Sequence, residues 1–331
     1  MNELPLKKDI DYKIISFNIP TPFPIGPVHS YLLFDDKITL VDSGPKTEKA
    51  WKAFVYQLNE NGFRLKDIDQ IILTHDHVDH SGLLALIKEH HPKIRIFAHS
   101  LTKLDVEKNK DYLERKIHFF EELYRKNGLS AMQIESIQQF YYTLQNYADP
   151  IKVDDELVDG MQVPGNKEWQ VLHTPGHAGG HITLYHPQLN ILIAGDHILG
   201  HTSSGTFIEA PYKEGEERPK SILQYRNSLN RLKQLEISTI YSGHGDVILN
   251  AREVINRELD RFEKRANELY EQMSTGSNSY TVYDLMQIMY PNRFQKHLNL
   301  YFSEVLSHLD LLEEMGRVKK VETMNLVKYH I

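Results

Sequence analysis

The chain has 331 residues, of which 40% are hydrophobic and 25% charged, with a formal net charge of -7 and no cysteine. A length beyond the roughly 100–200 residues of an ordinary domain suggests one large domain and a smaller one. The missing cysteine excludes disulfides, thiol nucleophiles and thiolate metal sites, and the negative balance argues against a strongly basic nucleic-acid surface.

In chain order, KIISFNIP, TPFPIGPV, SYLLFDD and ITLVDSG read as strands of a meander. TEKAWKAFVYQLNENG has a helical pattern, with Thr47 as N-cap and Gly62 as its stop. Residues 68–73 form a short apolar run that fits a buried strand and leads into THDHVDHSG. The amphipathic GLLALIKEHHP and the strand KIRIFAH follow. Strand, loop, helix, strand is the order of a layered α/β architecture, with a histidine cluster presented on a strand-to-helix loop.

Residues from about 101 to 150 differ, carrying long helical patterns rich in charge and aromatics. They read as a helical insertion that serves either as a lid or as ordinary packing. As a pocket wall it would offer Phe119, Phe120, Tyr124, Tyr141 and Tyr142. Strand patterns resume with WQVLHTPGH, HITLYHP and NILIAGDHIL. A Gly/Ser/Pro-rich loop through Pro219, a helix over about 221–235 and the strand STIYSGHG come next. Residues 1–250 are thus expected as one domain and 251–331 as another. The latter reads as a long charged helix, two further helices and two short strands, the order of a winged helix-turn-helix. With 11 Lys/Arg against 12 Asp/Glu, this segment nets -1, which favours docking or oligomerisation over nucleic-acid binding. No apolar run reaches about 18 residues and MNELPLKKDIDYK lacks a signal core, so a cytoplasmic chain without membrane contact is expected.

The chemistry is concentrated in His75-Asp76-His77-Val78-Asp79-His80. Alternate residues of an extended segment point the same way, so His75 and His77 can grip one metal. The turn into the helix then brings Asp79 and His80 to a second. A catalytic zinc needs about three protein ligands and an open position, so further donors must come from afar. Three candidates end apolar strands beside glycines: His177 in VLHTPGH, Asp196 in ILIAGD and His244 in TIYSGHG. His181 and His197 lie near these positions and would bind substrate, act as an acid or make structural hydrogen bonds. His90 and His91 suit a helix end, and His99 and His173 read as ordinary residues.

HDHVDH, TPGH, GD and GHG, in this order over about residues 10 to 250, resemble the metallo-β-lactamase superfamily with its H-x-H-x-D-H signature. The resemblance implies an αββα sandwich with the site at one edge of two packed sheets. It implies His75, His77 and His177 on one metal, Asp79, His80 and His244 on the other, and Asp196 bridging them. Asp42 in LVDSG would orient ligands, or be a polar strand end. More narrowly, GDHILG and the C-terminal segment are similar to the bacterial relatives of β-lactamase-like protein 2, whose animal member cleaves single-stranded RNA. This chain differs in having His197, where the animal pattern has cysteine.

The expected function is a metal-dependent hydrolase using a metal-bridged hydroxide, with Asp79 holding the water and carrying a proton. The expected substrate is an acyl thioester, an ester or a related small molecule. Alternatives are an endoribonuclease, an iron-dependent sulfur dioxygenase using only His75, His77 and His177, and a regulatory protein with a vestigial site. Two divalent ions are expected, zinc by default and manganese or iron tolerated. A homo-oligomer is also compatible.

Overall fold

The computed structural model describes residues 14–276 and 279–331. The N-terminal stretch read for a secretory signal lies outside them, as do two residues of the STGSNS joint. Three strands open the chain, β1 (Ile14–Ile19), β2 (Val28–Phe34) and β3 (Ile38–Val41), paired antiparallel in sequence. TPFPIGPV is not a strand. Pro22, Pro24 and Pro27 have no N–H to give a ladder, and the segment loops through a turn at Gly26, where φ is +96°.

Helix α1 (Glu48–Glu60) begins where Thr47 accepts the Ala50 N–H at 3.0 Å. Next come β4 (Gln70–Ile72), the single-turn α2 (Val78–Ser81), α3 (Leu84–His90) and β5 (Arg95–His99). The insertion follows as α4 (Ser100–Val106), α5 (Lys110–Lys126) and α6 (Ala131–Leu144), before β6 (Asp155–Leu157). Strands β3 to β6 run parallel, completing a six-stranded mixed sheet.

The second sheet holds β7 (Gln162–Val163), β8 (Asn166–His173), β9 (Ile182–His186) and β10 (Ile191–Gly195). Helix α7 (Ser221–Leu232) then leads to the edge strand β11 (Thr239–Ser242), parallel to β10. β6 and β7, three and two residues long, are too short to show a period in the sequence.

Alternation along the strands builds the layers. In β3, β4 and β10 the pairs Leu40/Val41, Ile71/Ile72 and Leu192/Ile193 point to opposite faces. Val41, Ile72 and Ile193 join Leu33, Val171 and Leu184 in the apolar layer between the sheets. Leu40 and Ile71 pack outward with Phe54 of α1 and Ile87 of α3. Leu192 and Ile240 lie in the cluster that contains Tyr225 and Leu229 of α7. The result is the αββα sandwich of the metallo-β-lactamase fold. Truncating Ile72 to alanine in the middle layer costs about 2–5 kcal/mol.

The chain ends with α8 (Ala251–Ser274), α9 (Val282–Met289), α10 (Leu298–Glu314) and a hairpin of β12 (Lys319–Glu322) and β13 (Val327–His330). Phe262 of α8 and Phe302 of α10 share the apolar cluster that covers the second sheet. Tyr124 and Phe120 of α5 belong there too. Tyr124 meets the Phe302 ring edge-on at 4.7 Å, while Tyr142 is exposed, so these aromatics do not converge on one pocket. An aromatic stripe at helical spacing looks the same in sequence whether it lines a cavity or a core. No helix among the described residues is long and apolar enough to cross a membrane.

Candidate metal centre

Buried Leu73 ends the apolar run at β4, its N–H bonded to the Phe97 carbonyl at 2.9 Å, and the next residues leave the sheet edge. His75 and His77 stand on this exit, and α2 turns Asp79 and His80 back toward them. The His80 N–H reaches the His77 carbonyl at 3.0 Å. His177 follows β8, Asp196 follows β10 and His244 follows β11, all at the same edge of the sandwich. The close approach depends on Gly243. A Cβ there would overlap Asp196 Oδ1 and crowd the His80 ring.

The structure brings all seven expected residues together. Their donor atoms form three overlapping groups, His75/His77/His177, His75/His80/Asp196 and Asp79/His80/His244, each within 4.8 Å. His177 Nε2 lies 3.0 Å from His77 Nδ1, and His80 Nε2 3.3 Å from Asp196 Oδ1. His244 Nε2 is 3.3 Å from Asp79 Oδ2 and 3.5 Å from Asp196 Oδ2. Yet His75 Nε2, His80 Nε2, His244 Nε2 and Asp196 Oδ1 are buried without an aligned hydrogen bond. Burying four such atoms is unfavourable unless something satisfies them. Converging imidazole lone pairs and carboxylates form a cluster suited to metal ions.

The opposite ring nitrogens are tied down. His75 Nδ1 meets Thr74 Oγ1 at 3.0 Å and His80 Nδ1 meets Asp42 Oδ2 at 2.8 Å. His177 Nδ1 meets Ser204 Oγ at 2.8 Å and the Gly205 carbonyl at 2.9 Å, and His244 Nδ1 meets the Pro27 carbonyl at 2.7 Å. In all four rings Nδ1 faces outward and Nε2 inward, whereas His77 turns Nδ1 inward. Asp42 is the busiest of these partners. It accepts from Thr74 N at 2.8 Å, Thr74 Oγ1 at 2.7 Å and His80 Nδ1, from a left-handed backbone with φ of 59°. Asp42 was readable as a candidate, but Thr74, Ser204, Gly205 and Pro27 were not singled out. Two of them act through backbone carbonyls, which any residue offers.

Electrostatics divide the cluster. Burial, reinforced by neighbouring imidazoles, holds His75 well below the ordinary histidine range and lowers His177 to about 4, leaving neutral rings able to donate lone pairs. Burial works the same way on His80, but Asp196 and Asp42 outweigh it and raise His80 well above that range. Burial likewise opposes ionisation of Asp196, and His80 and His244 overcome it. The carboxylates that favour a proton on His80 are the groups that would favour a metal cation in the proton's place.

The remaining histidines separate cleanly. His181 is buried, with Nδ1 at 3.1 Å from Thr174 Oγ1 and Nε2 accepting the Asp196 N–H at 3.2 Å, so it fixes the backbone beside Asp196. His197 is buried against the Tyr225 ring at 4.4 Å with both nitrogens unpartnered. His173 stacks on His99 at 4.1 Å and meets the Gly179 carbonyl at 2.8 Å. His90 Nδ1 meets the Leu86 carbonyl in the last turn of α3. Phe207, not foreseen from sequence, sets its ring edge-on to His77 at 5.4 Å and His177 at 5.5 Å, walling one side of the centre.

The model of the family described as "Metallo-beta-lactamase superfamily" matches residues 24–244. The chain is 31% identical over 300 residues to the probable metallo-hydrolase YqjP of Bacillus subtilis, covering 91% of this chain and 92% of that one. It is 26% identical over 275 residues to the β-lactamase-like protein 2 homolog of Caenorhabditis elegans, at 80% and 72% coverage. With an atrochrysone carboxyl ACP thioesterase of Aspergillus fumigatus it shares 23% identity over 231 residues, 70% of this chain and 54% of that protein. The crystal structure of a metallo-β-lactamase family protein from Thermus thermophilus matches with a TM-score of 0.77 at 25% identity, covering 96% and 98% of the two chains.

Proposed function

We propose that this chain, which belongs to the metallo-β-lactamase superfamily, hydrolyses an acyl thioester or ester with two divalent cations, zinc by default. The observation that carries the reading is the convergence of His75 Nε2, His80 Nε2, His244 Nε2 and Asp196 Oδ1 as buried, inward-facing atoms with no aligned hydrogen bond. His75, His77 and His177 would hold one cation, Asp79, His80 and His244 the other, with Asp196 between them. Bound divalent cations supply Lewis-acid polarisation of the scissile carbonyl and acidify water toward neutral pH. Asp79 keeps a partly exposed side chain at the centre, so its carboxylate can orient the attacking water and carry a proton to the leaving thiol or alcohol. The tethered outer nitrogens keep the rings from turning during the reaction, and Phe207 excludes bulk water from one side.

The thioester reading draws support from the thioesterase among the relatives. The substrate is a small molecule, and the C-terminal segment, at net -1, serves docking or self-association. The test is hydrolysis of a panel of acyl thioesters and aryl esters by zinc-loaded protein, with Asp79→Ala beside it. Turnover by the wild type and its loss in the variant support the reading. No turnover of the panel, with variant-sensitive cutting of a fluorescent single-stranded RNA, replaces it with phosphodiester cleavage.

A further inference from the structure

The loop after β10 runs from Asp196 at the centre to Ser204, whose hydroxyl meets His177 Nδ1 at 2.8 Å. The middle of the loop is not part of a sheet strand, and residues 201–203 face a groove of about 710 Å³ against α8. Three side chains of α8 grip this loop instead. Glu258, only 2% exposed, accepts from Ser203 Oγ at 2.6 Å and pairs with Arg261 Nε at 3.3 Å. Arg261 in turn donates to the Ser204 carbonyl at 3.4 Å, and Arg257 donates to the carbonyls of Gly200 at 3.0 Å and Leu199 at 3.3 Å. Residues 257, 258 and 261 fall on adjoining positions of one helix turn, so they act as one block.

We propose that Glu258 is a positioning residue for the metal centre. With Arg257 and Arg261 it fixes the 199–204 loop and, through Ser204 and the Gly205 carbonyl that follows it, the tautomer and orientation of His177. A carboxylate buried at that depth is unfavourable unless paired, and its partners here are the loop and the two arginines that bind the same loop. Removing it frees Ser203 and unpairs Arg261, leaving the loop held only by the arginine bonds to the Leu199, Gly200 and Ser204 carbonyls. The C-terminal segment thereby becomes part of the metal site, although its side chains contribute none of the seven donors. Hydrogen-bonded partners behind a ligating histidine typically govern affinity by about 10–100-fold.

The inference rests on His177 being a metal ligand, and the experiment separates the two claims. Zinc affinity is measured by chelator competition well below the unfolding temperature for wild type, Glu258→Gln, Ser203→Ala and, as a control on the exposed last turns of α8, Glu271→Ala. Visible spectra are taken of the cobalt-substituted proteins. The expectation is a zinc Kd raised about tenfold or more in Glu258→Gln, a smaller rise in Ser203→Ala, altered cobalt bands in both and no change in Glu271→Ala. Should Glu258→Gln fail to fold, Ser203→Ala carries the test on its own. Wild-type zinc binding with Kd and cobalt bands unchanged in the loop variants would overturn the positioning role alone. A wild type that binds no zinc, cobalt or manganese would overturn both it and the reading of the site.

Discussion

Asp42→Ala removes the acceptor of three hydrogen bonds in a position only 2% exposed. The Thr74 N–H and the His80 Nδ1–H lose their partner outright, at about 1–3 kcal/mol each, while the Thr74 hydroxyl can rotate elsewhere. Alanine must also take the left-handed backbone that aspartate tolerates at φ of 59°, adding about 1 kcal/mol. Together these give a destabilisation of about 3–7 kcal/mol for Asp42→Ala. Asp42→Asn keeps one acceptor oxygen for Thr74 and suits the same backbone, but turns an amide N–H toward His80 or the Thr74 hydroxyl. Its stability loss is about 1–2 kcal/mol, whereas zinc affinity falls about 10–100-fold because His80 loses its anionic anchor. Urea unfolding with the metal chelated gives the first quantity, and chelator competition at fixed pH gives the second. Equal stabilities for the two variants, or an Asp42→Asn protein with wild-type zinc affinity, would refute the assignment of Asp42 as the anchor of His80.

Asp79→Ala should lower kcat at least about a hundredfold while leaving one equivalent of tightly bound zinc on His75, His77 and His177. Loss of both equivalents by mass spectrometry under native conditions would count against separate sites. The Lys116–Asp105 pair is 2.7 Å long with side chains 13% and 14% exposed, so Lys116→Met should destabilise by about 3 kcal/mol in urea unfolding. A loss below about 0.5 kcal/mol would place that pair effectively in water. Burial pushes the Glu209 carboxyl from its ordinary 4.5 up to about 8, against the opposing charge of Lys116. Because the folded pKa is raised, its stabilising contribution is complete below about pH 4.5 and is lost as pH rises through about 8. The stability of wild type relative to Glu209→Gln should therefore fall across pH 5–8 by up to about 1.4 kcal/mol per unit, and parallel pH curves would contradict it.

How much of this was legible follows from where each constraint resides. His75 to His80 are contiguous, so the chemistry that unites them is written in a single hexapeptide, and the strand before it is apolar enough to be read. His177, Asp196 and His244 are scattered, but each ends an apolar strand beside glycine, and only tight turns at one sheet edge make use of that pairing. The parts that sequence did not disclose act through generic atoms or across long separations. Pro27 and Gly205 contribute carbonyls, and Tyr124 and Phe120 of the insertion joined a core built with α10, some 180 residues downstream of Tyr124. TPFPIGPV looked strand-like by its apolar content, yet its prolines forbid the ladder and free the loop that delivers the Pro27 carbonyl to His244. The same logic extends to α8. Its charged face looks like a solvated surface, and only the approach of residues 199–204 turns Glu258 and Arg261 inward as partners. A donor set can thus be read from local spacing, whereas the bonds that aim the donors depend on tertiary neighbours.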